Sequence, residues 1–143
     1  MLLLALTQPA SAHRFAPSLL QVTQIGPGLY NLVWKTPLQA TSNVPLRPHW
    51  PESCAVENPS PPQVEGSGKV SAFQLRCSVL GDDGLVGDTL GIEGLGANQA
   101  SAMVMISLLD GRQYQQVLNA EQPDFVVPEE SSAGDVMGDY TVL

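Results

Sequence analysis

Apolar and polar side chains alternate along this chain in short runs that turn signals interrupt. Residues 16–25 (APSLLQVTQI) lead into Gly26-Pro27-Gly28, and LYNLVWK follows at once. In the second run Tyr30, Leu32 and Trp34 fall on one face, with Leu29, Asn31, Val33 and Lys35 on the other. A two-residue period with aromatic residues on one side is the pattern of a half-buried strand. With Gly-Pro-Gly between them, the two runs predict an N-terminal β-hairpin.

Residues 36–69 are rich in proline and small polar residues, including Pro59-Ser60-Pro61-Pro62 and Gly66-Ser67-Gly68. Proline fixes φ and gives no donor to a ladder, so only short edge strands fit here, at 44–47 and 54–57. Alternation resumes at Lys69, with Phe73, Leu75 and Cys77 on the expected core face. Gly81-Asp82-Asp83-Gly84 reads as a loop, and 88–95 (DTLGIEGL) as a short strand. At 101–119 Ala102, Val104, Ile106 and Leu108 line one face of a strand ending at Asp110-Gly111, a dipeptide favoured in two-residue hairpin turns. The return run, RQYQQVLN, puts Tyr114, Gln116 and Leu118 on one face, and Phe125-Val126-Val127 makes a last strand before Pro128. About seven to nine short strands and no convincing amphipathic helix predict an all-β fold, an antiparallel β-sandwich that is immunoglobulin-like in broad architecture. The expected organisation is a leader at 1–12, a sandwich domain at 13–128 and a polar linker at 129–143.

Composition narrows the function. Fourteen acidic and six basic residues give a net charge of −8, which argues against nucleic acid as a partner because phosphate binding needs a basic stripe. The apolar fraction of 43% is ordinary for a globular domain. Met1 to Ala12 carries no charge, contains Leu2, Leu3, Leu4 and Leu6, and ends in Ala10-Ser11-Ala12, the small-x-small form accepted by signal peptidase. It reads as the C-terminal part of a secretory signal, short and without a basic n-region, with His13 as the first mature residue. A buried apolar strand is the alternative. Export to the periplasm or the outer face of a membrane would suit the cysteines. Cys54 and Cys77 are the only pair and form no C-x-x-C unit, so one structural disulfide is the simplest reading, with buried thiols the alternative in a reducing compartment.

Catalytic chemistry finds little support. His13 and His49 are the only imidazoles, and no nucleophile elbow or phosphate-binding loop is present. Asp82-Asp83 and Glu129-Glu130 sit in polar segments where carboxylates are solvated. Asp82, Asp83 and Asp88 could supply oxygen ligands to calcium, although the EF-hand register is missing. Cleavage after Ala12 would give His13 a free α-amine beside its imidazole. That pair can chelate Cu(II) or Ni(II), with His49 as a third nitrogen if the fold brings it near. Trp34 fits a core role, whereas Trp50, between prolines, is open to a ligand platform as well.

The order of these motifs carries a resemblance. A signal end, HRFAPSLLQVTQIGPGLYNLVWKTP, PESC, FQLRC, GDTLGIEGL and MVMISLLDGR follow one another. This arrangement resembles the N-terminal extracytoplasmic region of HupE/UreJ-like proteins, the hydrogenase/urease accessory family of membrane proteins. The family's G-x-Y-x-x-x-W-K falls on Gly28, Tyr30, Trp34 and Lys35, its cysteine pair on Cys54 and Cys77, and its later Gly-Leu on Gly94-Leu95. The resemblance implies an interaction or metal-capture module linked to nickel supply. It also implies that Tyr140-Thr141-Val142-Leu143 leads toward a membrane half, which with other membrane or periplasmic proteins would be the partner. Two other readings remain open: a free-standing periplasmic Cu/Ni-binding protein that uses His13, and a structural or adhesive sandwich.

Overall fold

A computed structural model describes residues 17–78 and 85–128. The alternating runs form strands β1 (Ser18–Gly26), β2 (Leu29–Pro37), β3 (Arg47–His49), β4 (Cys54–Glu57), β5 (Gln63–Glu65) and β6 (Gly68–Cys77). After these come β7 (Thr89–Glu93), a short helix α1 (Leu95–Asn98), β8 (Ala102–Ser107), β9 (Gln113–Leu118) and β10 (Asp124–Val126). A large sheet has the order β4-β6-β2-β1-β8-β9, with β5 also paired to β6, and a small sheet has the order β10-β7-β3. The fold is therefore all-β and sandwich-like.

The inward positions are the ones alternation selects. Leu20 and Val22 of β1, Tyr30 and Leu32 of β2, Leu75 of β6, and Val104 and Ile106 of β8 are all buried. Leu90 and Ile92 of β7 join them from the small sheet, and Phe125 packs on the same cluster. Removing side chains of this size from water stabilises by about 1.5–3 kcal/mol each. The Tyr30 hydroxyl, fully buried, accepts the backbone N–H of Leu85 at 2.8 Å, so the inward face of β2 also fixes the start of the segment leading into β7.

The predicted N-terminal hairpin is present, with Gly26 opposite Leu29 across Pro27-Gly28. Gly28 has φ +65°, and a side chain there would run into the carbonyl of Cys77. Its own carbonyl accepts the Cys77 N–H at 2.7 Å, so this turn needs glycine for conformation and for space alike. Cys54 and Cys77 are register partners on β4 and β6 and are joined by the expected disulfide, at a sequence separation of 23.

Five details differ from expectation. β1 and β8 pair in parallel, Leu20 beside Val104 and Val22 beside Ile106, so the large sheet is mixed. Alternation reports which face a residue takes and is blind to strand direction. The strand expected at 44–47 lies at Arg47–His49, and the one expected at 88–95 ends at Glu93, where Gly94 (φ 88°) turns the chain into α1. The Asp110-Gly111 turn is a three-residue loop: the Leu108 N–H donates to the Arg112 carbonyl at 2.9 Å and Gly111 takes φ +93°. That is the type I turn with a glycine bulge, the next most common hairpin connection. Asp110 locks it by accepting the Arg112 backbone N–H at 3.0 Å and Nε at 2.7 Å. The backbone bond above all holds its carboxyl below the usual range. Ten strands are seen among the described residues, one more than the expected range, and β5 is the unexpected one.

Because the disulfide ties register partners, it acts mainly by restricting the unfolded chain. Replacing Cys54 and Cys77 together by Ala should lower the unfolding free energy by about 3 kcal/mol. Urea unfolding of oxidised and variant protein measures this, and coincident midpoints would show that the crosslink contributes nothing.

Candidate functional site

Strands β3, β7 and β10 turn Pro48, Leu90, Ile92 and Phe125 toward the core, which leaves Arg47, His49, Thr89, Gly91, Glu93 and Asp124 on the outer face. Register places His49 and Asp124 on either side of one residue of the central strand, Gly91. The imidazole Nε2 and the Asp124 Oδ1 meet across that glycine at 2.6 Å. A Cβ on Gly91 would overlap both atoms. Glycine in mid-strand weakens a ladder and often marks a close approach; here it clears the space in which side chains two strands apart join.

A carboxylate oxygen can only accept, so Nε2 carries the hydrogen, and in the neutral ring Nδ1 then keeps its lone pair. Hydrogen bonding one ring nitrogen to a carboxylate fixes the tautomer and orients the ring, as carboxylate partners do for metal-ligating histidines. The side chains are 37% and 45% exposed, so the imidazole is held in place while remaining accessible to solute.

Of the other candidates, His13, Asp82, Asp83, Glu129 and Glu130 lie outside the described residues, and so do the expected leader and linker. Asp88 is described and its carbonyl accepts the Val127 N–H at 2.9 Å. Among the described residues no group of three or more His, Cys, Asp or Glu is placed to hold a metal ion. His49 and Asp124 therefore offer two donors, fewer than a Cu or Ni site takes. Trp34 is buried in the core. Trp50 is half-buried against Phe73, ring centroids 5.5 Å apart, and so anchors the end of β3 to β6. The pairing of His49 with Asp124 was absent from the sequence reading. Its one trace is the glycine inside the strand run TLGIE, which signals close approach without naming the partners.

Among the described residues no helix is long and apolar enough to cross a membrane. No family model, curated protein or solved structure matches the chain.

If Gly91 exists to let the pair meet, the coupling between His49 and Asp124 should vanish when that space is filled. A double-mutant cycle with H49A and D124A should give about 0.5–1 kcal/mol, as expected for an exposed pair. The same cycle in a G91A background should give none; equal coupling in both backgrounds would refute the role assigned to Gly91.

Proposed function

We propose that this chain is an extracytoplasmic capture module of the kind the HupE/UreJ resemblance implies, a non-catalytic sandwich that receives a Cu(II) or Ni(II) ion for a membrane partner. The observation that carries this reading is the His49–Gly91–Asp124 row, which orients one imidazole through Nε2 and leaves Nδ1 outside that bond. The ligand set would be completed by the amino-terminal nitrogens that cleavage after Ala12 would give to His13. Two further features support the proposal. The Cys54–Cys77 disulfide is compatible with an oxidising, extracytoplasmic compartment. The carboxylate behind His49 is the outer-shell partner that metal-bound histidines usually have.

Asp124 acts here as a positioning residue, and its effect should be graded. In calorimetric titration of the processed protein with Cu(II) and Ni(II), one equivalent should bind. D124N should weaken binding by about 10- to 100-fold, H49A should weaken it further, and one extra residue before His13 should abolish the tight site. Unchanged affinity in H49A would remove the row from the function, and unchanged affinity in the extended protein would remove His13.

A further inference from the structure

At one end of the sandwich the inward-facing positions of the large sheet stop being apolar. Following β1, β2 and β6 along their core-facing sides leads from Leu20 to Ser18, from Trp34 to Thr36, and from Phe73 through Ser71 to Lys69. Residues 37–48 bound this end, and between them and the sheet lies a cleft of about 450 Å³. That volume is within the range of small-molecule sites, about 300–1,000 Å³. α1 supports the bounding loop: the buried Asn98 side chain donates to the carbonyls of Val44 and Gly94, both at 2.8 Å, and accepts from the Ser42 hydroxyl at 3.1 Å.

Three features give the cleft a chemical preference. Among the described residues no Asp or Glu lines it, although the chain carries −8, while Lys69 does and Arg47 of the bounding segment borders it. Neither cation forms an ion pair among the described residues, whereas Arg76 and Arg112 are paired to Glu57 and Asp110. Ser18, which lines the cleft, is 1% exposed, and its Oγ has no hydrogen-bond partner among the described residues. A buried hydroxyl without a partner costs stability, and this one sits on an inward register position beside the cleft. Trp34 contributes an aromatic wall.

We propose that this cleft binds a small organic carboxylate with a flat apolar body, its carboxylate directed to Lys69 and its ring against Trp34. A cation without a partner beside a partly apolar cleft favours an anion by charge-assisted hydrogen bonding. The aromatic wall favours a planar body over a bare inorganic anion. This site is separate from the His49–Asp124 row and does not rest on the metal reading.

Calorimetric titration of the full chain with benzoate, 2-naphthoate and indole-3-acetate, each against its neutral amide, tests the assignment. At least one carboxylate should saturate below about 10 mM, the range of a weak but specific site, and its amide should bind about tenfold more weakly. K69M should reduce carboxylate affinity about tenfold. K35M, which removes a cation from the outer face of β2, should not change it, and its thermal midpoint controls for folding. Three outcomes overturn the proposal: no saturation by any of the three, equal binding of acid and amide, or equal losses in K69M and K35M. Inorganic phosphate that binds more tightly than every carboxylate would overturn the ring preference and with it the ligand class.

Discussion

Strands β3, β7 and β10 are three, five and three residues long, too short for their ladder bonds to hold a sheet together alone. They persist because Leu90, Ile92 and Phe125 pack onto the inward face of the large sheet, where Leu20, Tyr30, Leu32, Val104 and Ile106 wait. The rest of the molecule depends on that apolar contact. It sets the register of the small sheet, and register alone puts His49, Gly91 and Asp124 in one row. The same contact ends where the large sheet's inward positions turn polar, and there the cleft opens.

Both sites thus arise where the alternating pattern is interrupted rather than where it is strongest. Gly91 is a gap in the outer face of β7, between Thr89 and Glu93, and the gap lets two partners meet over the backbone. Ser18, Thr36, Ser71 and Lys69 occupy positions that alternation assigns to the core, which leaves an end that apolar packing cannot close. Natural sequences break a local rule at functional positions and offset the cost elsewhere. In this chain the offset comes from the densely buried middle of the sheet and from the Cys54–Cys77 crosslink.

Much of the fold was legible because burial on one face imposes a two-residue period. The N-terminal hairpin, the core face of β6, the β8–β9 hairpin and the disulfide all followed from it or from the cysteine count. What stayed hidden was information the period does not hold. The parallel pairing of β1 with β8 joins segments distant in sequence, and a parallel strand has the same alternation as an antiparallel one. The helix α1 is a single turn of four residues, too short to show a helical period. Of the candidate site, the sequence singled out His49 but not Asp124, because 75 positions separate them and only the two edges of the small sheet bring them together.

The oriented imidazole is the claim on which the functional reading turns, and its tautomer can be observed directly. A long-range proton–nitrogen spectrum of uniformly labelled protein, with His49 assigned by its absence in H49A, reports which ring nitrogen carries hydrogen. The expected result is the Nε2–H form, with His49 ring signals among the first to broaden on addition of Cu(II). A His49 ring protonated only on Nδ1, or broadening that leaves that ring untouched, would contradict it.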